Sequence, residues 1–452
     1  MEQCAAAQRP MFSPVALRRL IIPLILEQLL AMTVGLVATI MITHVGEASV
    51  SGVSLVDAIN NLFINILAAL CTGGAVVCAQ YLGRRDSQQA RLSARQLFYI
   101  ALLFSVVVGS VFLAAPRFFV RAIYGAVDRS VLDSATTYLT FSAISYPFLA
   151  IYSACAALFR SMGNSRVSLL ASLVMNVVNV AVSAVLIYGF QLGVAGAGIA
   201  TLLSRAVAAV ITLYLIRNRR NPVYLKQLYR VSFDGRLVRS ILSVGVPTGF
   251  ENGLFNLGRL VIQALVASLG TAALAANAII GSIANMAIVP GLAMGLAIVT
   301  VFGQCVGAGD YEQAEAYLKK LMLYTILCMT CTNLPLLLFS RRIIGLFPLD
   351  ASVLEESAQT LRFLGISGIL FWSFSFAFPN ALRAAGDARF TMIAAISIMW
   401  IVRCGSSYVF IKLLGTGFAG AWYAMMIDWV FRCFFFIFRY RSGKWRTKCV
   451  IR

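Results

Sequence analysis

Long apolar runs alternate with short polar connections from one end of the chain to the other. A run of about 20 apolar residues crosses a hydrocarbon core of ~30 Å as a helix, which satisfies its own backbone hydrogen bonds there. Twelve such helices are predicted, over residues 17–44, 55–82, 96–115, 134–159, 167–189, 194–216, 240–268, 275–303, 321–340, 357–381, 390–412 and 418–438. No short apolar core with a small-residue cleavage site opens the chain, so the first run is expected to stay as a span. The expected fold class is an all-α integral membrane protein with twelve transmembrane helices.

Composition agrees with a bilayer as solvent. The chain is 60% hydrophobic and 12% charged, against roughly 25% charged in soluble domains, with mean hydropathy +0.86. The net charge of +20 would suit nucleic acid, but its placement points elsewhere. The predicted connections on one side, together with both ends, hold 26 of the 37 Lys and Arg. These are Arg9, Arg18, Arg19, the stretch 84–95, Arg160, Arg166, the run 217–239, Lys319, Lys320, Arg383, Arg389 and the tail 439–452. The positive-inside rule then sets both termini in the cytoplasm. Only Arg205, Arg259, Arg362, Arg403 and Arg432 are expected within spans.

Other chemistries find little support. Cys4 lacks the apolar segment that lipidation would need, and most of the ten cysteines fall in apolar spans without metal-type spacing. Cys328 and Cys331 have redox spacing but sit in a span, where packing is the reading. One histidine, His44, leaves no basis for His-ligated metal, and the chain has no GxxxxGK[ST] phosphate loop. No cofactor, nucleotide or nucleic acid is expected, and no enzyme activity.

The chain repeats itself. At an offset of 224 residues, Pro23 falls on Pro247, Glu27 on Glu251, Gly46 on Gly270, Asn61 on Asn285, and Gln80 on Gln304. Gly83, Asp86 and Ala90 fall on Gly307, Asp310 and Ala314, and Gly193 and Gly196 on Gly417 and Gly420. With the offset slipped by one, Arg160-Ser161-Met162-Gly163 meets Arg383-Ala384-Ala385-Gly386. Each copy holds an even number of spans, so both enter the membrane the same way, related by a pseudo-two-fold axis along its normal. The expected organisation is an N-terminal six-helix lobe (1–216), a basic cytoplasmic linker (217–239), a C-terminal six-helix lobe (240–440) and a basic cytoplasmic tail (441–452). Two lobes rocking about a cleft are transporter architecture.

Charges inside a bilayer cost ~2.5 to 3.5 kcal/mol each on insertion scales, so they point to function or to pairing. Glu27, Asp57, Glu251 and Asp428 qualify. Glu27 and Glu251 each follow a proline by one turn in the first helix of a lobe, where a missing backbone hydrogen bond invites a kink. Burial disfavours the charged form of a carboxyl, which suits such a residue to load and release protons; pairing with an arginine such as Arg259 is the alternative. Asp57, Asn61 and Asn65 form a stripe at four-residue spacing that Asn285 continues in the second lobe. The stripe lines a cleft or joins packed helices. Asp428 and Arg432 are spaced to pair, with Arg403 as a third member. Trp372 and Phe374, in an aromatic cluster with Phe371, Phe376 and Phe378, would stack on flat cations or pack against the core or lipid. The Gly291–Gly295 stretch after Pro290 permits bending.

The loop motifs resemble those of the multidrug and toxic compound extrusion (MATE) family, bacterial type, over residues 17 to 440. Ala79-Gln80-Tyr81-Leu82-Gly83 with Asp86 is similar to that family's AQ-x-x-G-x-x-D element, and Gly303-Gln304-Cys305-Val306-Gly307 with Asp310 is its second-lobe copy. Phe159 to Asn164 and Leu382 to Asp387 resemble its LRG-x-GD elements, and Asn179 with Leu186-Ile187-Tyr188-Gly189 its fifth-helix motif. The resemblance implies two six-helix lobes about a V-shaped cleft. It also implies export of organic, often cationic drugs or toxins against inward proton or sodium flow across a bacterial plasma membrane. It assigns Glu251 to the coupling acid of the seventh helix and Asn179 to a polar residue of the first-lobe cation site. Two positions depart from the pattern: alanine in Val37-Ala38-Thr39, and Ser183 after Asn179, where many members place aspartates. Coupling is therefore expected at Glu251, with Glu27 as the internal alternative, and protonation is a simpler account than sodium. The main rival is a lipid-linked oligosaccharide flippase of the same two-lobe superfamily, for which arginines in the cleft would be the sign. Membrane lipids and one small organic cargo are the expected partners, and twelve spans suffice for a monomer.

Overall fold

A computed structural model describes residues 10–125, 128–226, 228, 232–347 and 351–451, with 34–40, 42, 351 and 352 described by their backbone alone. The first half contains α1 (Pro14–Thr43), α2 (Glu47–Gly83), α3 (Ser87–Ala114), α4 (Pro116–Tyr124), α5 (Arg129–Ser161), α6 (Ser165–Ala184) and α7 (Gly193–Ile216). The second contains α8 (Gly235–Ala267), α9 (Thr271–Ala287), α10 (Val289–Gly307), α11 (Tyr311–Ile344), α12 (Ala351–Ser367), α13 (Pro379–Ala384), α14 (Ala388–Ser397), α15 (Gly405–Tyr408) and α16 (Ala419–Arg441). Wide π-helical turns prolong α6 over 185–189, join α12 to α13 over 368–377, and flank α15 over 398–404 and 409–413. Ten of these segments are long and apolar enough to cross a membrane; α1 and α8, which carry Glu27 and Glu251, complete twelve spans.

Three details differ from the sequence expectation. The span drawn over 275–303 is two helices, broken at Ile288 (φ −86°, ψ −8°) just before Val289-Pro290, because proline withdraws a donor and disfavours helix in the residue before it. Its counterpart α2 has no proline there and runs unbroken for 37 residues. A short helix, α4, occupies the connection between the third and fourth spans, with Pro116 in its first turn. The helix that follows the linker already begins at Gly235, with Asp234 accepting from the N–H groups of Arg236 and Leu237.

The repeat has a structural meaning at each matched position. Asp86 and Asp310 cap α3 and α11, accepting from Gln89 N at 3.0 Å and Gln313 N at 2.9 Å, the role in which a short acidic side chain satisfies an orphan N–H. Gly46 (φ 124°) and Gly270 (φ 107°) make the tight corners that start α2 and α9, backbone that L side chains adopt only under strain. The halves also interlock. Leu17, Leu20, Ile21 and Leu24 of α1 are buried in a core built mainly from the second half, and Ile241 of α8 in a core of the first.

Candidate functional site

The halves meet at the end of the molecule where Met11 and Ile451 lie. Gly83 packs on the carbonyl of Gln304, and Gly307 packs on the carbonyl of Gln80, so closely that a Cβ at either glycine would collide with that backbone. Around this crossing the two glutamines reach in opposite directions: Gln80 Nε2 donates to Ala384 O at 2.8 Å, and Gln304 Nε2 donates to Ser161 O at 2.7 Å. Gln80 Oε1 accepts in turn from the N–H groups of Val450 (3.1 Å) and Ile451 (3.3 Å), which draws the chain's last residues across the seam. Trp445, 1% exposed, stacks on Tyr440 and anchors that tail.

Above this closed end, between the halves, lies a cavity of about 750 Å³, within the range of sites for drug-sized molecules. Helices α1, α2, α5, α8, α9, α10 and α16 and the 364–383 segment line it. Facing it are two glutamates from the first helices of the two halves, each held by an arginine. Arg160 Nη1 donates to Glu27 Oε1 at 3.1 Å, and Arg383 Nη2 donates to Glu251 Oε1 at 2.6 Å. Sequence reasoning counted Arg160 and Arg383 among cytoplasmic positions. Their side chains instead turn into the cleft, one at the end of α5 and one in α13. The signal was available, since the slipped repeat aligns these two arginines as the direct offset aligns the two glutamates.

The pairs are not equivalent. Ser168 Oγ donates to Glu27 Oε2 at 2.7 Å, which completes that carboxylate. Thr391, which stands at the matching place, bonds back to Ala388 O, and Glu251 Oε2 and Arg383 Nε are buried with no partner among the described residues. Ser165 Oγ also donates to Arg19 O and Leu20 O, satisfying the carbonyl that Pro23 leaves without its helical donor. The matching residue in the second half is Ala388, which has no hydroxyl. Glu27 is thus pinned from two sides, whereas Glu251 keeps an unused oxygen.

The remaining sequence candidates divide. Asn65, Asn285 and Trp372 line the cavity. Asp57 and Asn61 lie off it: Asn60 Nδ2 donates to Asp57 Oδ1 at 3.4 Å and also to Ser142 within the first half, and the Asn61 carbonyl accepts from Asn65. Asn179 donates to Ser204 between α6 and α7, with Ser183 buried nearby in α6. Asp428 is fully buried behind the wall, accepting twice from Arg432 Nε at 3.1 Å. Phe374 turns to Phe378, while Trp372 stacks on Phe376 and packs under Gly291. Val37-Ala38-Thr39 lies in α1, where the backbone alone is described, and Cys4 lies outside the described residues. No group of three His, Cys, Asp or Glu residues among the described residues is placed to hold a metal.

Twelve spans in duplicated halves that meet at one end, below a cavity faced by two Glu–Arg pairs, define a multi-pass membrane transporter. The chain belongs to the MatE family, whose model matches it twice, over residues 23–185 and 247–409, starting 224 residues apart. It is 26% identical to the uncharacterized transporter YisQ of Bacillus subtilis, covering 98% of this chain and 97% of that one. It is 25% identical to the probable multidrug resistance protein NorM of Thermotoga maritima, covering 96% and 93%. Its fold matches a crystal structure of MATE in the bent conformation, with TM-score 0.88, 22% identity and 96% of each chain covered.

Proposed function

We propose that this protein is a secondary active exporter of drugs or toxins, driven by inward proton flow, with sodium the second choice of coupling ion. The observation that carries this reading is the half-satisfied Glu251–Arg383 pair, set in a cavity between two halves that meet at one end. The names of curated relatives, multidrug resistance proteins among them, support the cargo class. With both termini in the cytoplasm of a bacterium, the cavity faces outward in this conformation.

The geometry suggests how coupling works. Arg383 is followed directly by Ala384, whose carbonyl holds Gln80 of the other half; Arg160 is followed by Ser161, whose carbonyl holds Gln304. Thr300 Oγ1 of the second half also donates to Arg160 O. A proton arriving at Glu251 Oε2 cancels the charge that holds Arg383, and the released arginine shifts a backbone that is one residue from the gate. Each gate hydrogen bond is worth only about 0.5 to 1.5 kcal/mol net, so a change of that size at Arg383 is enough to alter the balance between conformations. The tail and one copy of the chain supply all the parts this scheme needs.

The test is efflux of a fluorescent dye from energised vesicles under an imposed pH or sodium gradient. Drive by a pH gradient, lost in Glu251→Gln with the protein still in the membrane, is the expected result. If neither gradient moves any dye, the exporter reading fails.

A further inference from the structure

Five arginines face the cavity, Arg160, Arg259, Arg383, Arg403 and Arg432, against two glutamates. Glu27 and Glu251 neutralise Arg160 and Arg383, and Asp428 neutralises Arg432 from behind. Arg259 has no acid and no hydrogen bond among the described residues, and Arg403, which has no hydrogen bond there either, has only the attraction of Asp428, which it shares with Arg432. Arg259 and Arg403 are neighbours: Cys404 Sγ reaches Gly258 O, which sets the helix of Arg403 against the turn of α8 that carries Arg259. Arg403 Nε is buried without an acceptor, as are Trp429 Nε1 and Arg383 Nε on the same cavity wall. Buried donors that are left unpaired are costly, and these three belong to residues that line one cavity.

Two aromatic rings that would welcome a cation, Phe255 and Phe376, are already in use. The Arg432 guanidinium lies 5.3 Å from the Phe255 ring and 5.4 Å from Phe376, and Arg403 lies 5.7 Å from Phe255. A cationic ligand entering here would meet two positive charges in excess of the acids, and two rings occupied by the protein's own cations.

Resting on the exporter reading, we infer that the second-half wall of the cavity binds the acidic group of an amphipathic organic anion, a carboxylate, sulfonate or phosphate, through Arg259 and Arg403. On this inference the cargo carries an acidic group, where the family resemblance implies an often cationic one. Guanidinium groups suit such acceptors because their fork of N–H donors matches the oxygen spacing, and Trp422, Met425 and Trp429 offer apolar surface to the rest of the molecule.

The experiment measures fluorescence anisotropy of carboxyfluorescein and of cationic rhodamine 6G with the purified full-length protein. Carboxyfluorescein is expected to bind at least about tenfold more tightly than rhodamine 6G, and Arg259→Gln and Arg403→Gln to weaken it about tenfold each, which is ~1.4 kcal/mol. Arg259 has no partner to orphan, so Arg259→Lys and Arg259→Glu keep the test meaningful: the first retains binding and the second reverses the preference. Tighter binding of rhodamine 6G, or carboxyfluorescein binding indifferent to Arg259→Glu, overturns the proposal. Displacing the bound dye with naphthalene sulfonate or with a long-chain isoprenoid phosphate separates a soluble cargo from a lipid one. Displacement by either supports the anionic site, and failure of both overturns it. Binding needs no gradient, so a dye that binds but is never pumped sinks the exporter reading alone; a pumped rhodamine with unbound carboxyfluorescein sinks only the anionic site.

Discussion

Glu251 Oε1 accepts a 2.6 Å hydrogen bond from Arg383 Nη2, while its second oxygen is buried and has no partner among the described residues. A carboxylate in that state has a vacant acceptor on a residue that lines the cavity. Glu251→Gln keeps the shape and removes the charge. The expected outcome is loss of gradient-driven efflux with dye binding retained, checked by running the two assays side by side. Loss of binding together with transport would mean that Glu251 serves the cargo instead of the coupling ion.

The crossing of α2 and α10 depends on two glycines whose missing side chains leave room for a backbone carbonyl. Gly83→Ala and Gly307→Ala should each penalise the closed end by about 1 to 3 kcal/mol, the usual cost of overpacking a tight contact. Thr300, 2% exposed at that end of the cavity, reports the change. With the ten native cysteines replaced, Thr300→Cys should react faster with an impermeant thiol reagent added on the terminus side in either glycine variant than without it. Equal rates would show that the crossing is not the gate.

Gln80 and Gln304 are matched by the repeat but not in all their bonds, because only Gln80 also accepts from the tail at Val450 and Ile451. Gln80→Ala should therefore raise amide hydrogen exchange over residues 444–451, while Gln304→Ala leaves those amides protected. Both variants lose one hydrogen bond between the halves, each worth about 0.5 to 1.5 kcal/mol. Equal protection of the tail in the two variants would count against a link between tail and gate.

The fold was legible because a bilayer imposes a simple rule on the chain, and because duplication doubles each signal. Capping aspartates, corner glycines and gate glutamines all stood out as matched pairs before any coordinates. The break at Ile288 was not read, although Pro290 was noticed, since hydropathy carries straight through it. Glu27 and Glu251 stood out as intramembrane charges. Their partners did not, because Arg160 and Arg383 sit at helix ends, where sequence alone does not say whether a long side chain points to water or reaches back into a cleft. Asp57 and Asn61 belong to a polar stripe that spacing describes well, but spacing does not say which neighbouring helix the stripe meets.

Asp428 and Arg432 are 0% and 2% exposed at the side chain, and Arg432 Nη2 also donates to Ala395 O at 3.0 Å. Breaking a buried pair from one side strands the other charge, which costs about 3 to 5 kcal/mol. Asp428→Asn should lower the thermal unfolding temperature in detergent clearly more than Asp133→Asn, whose pair with Arg117 is exposed at the surface and worth at most about 1 kcal/mol. Similar shifts would show that the buried pair is not a structural anchor.

One hydroxyl separates the two glutamate sites. Ser168 reaches both Ser165 O and the Glu27 carboxylate, whereas Thr391 reaches only the matching carbonyl, Ala388 O. Ser168→Ala should give Glu27 the same unused oxygen that Glu251 has, at a cost of about 1 to 3 kcal/mol for the orphaned acceptor, seen as a lower unfolding temperature. Removing the carboxylate removes the orphaned acceptor, so Ser168→Ala should cost clearly less in a Glu27→Gln background than in the unaltered protein. Equal costs in the two backgrounds would show that the hydroxyl acts through packing and not through the Glu27 carboxylate.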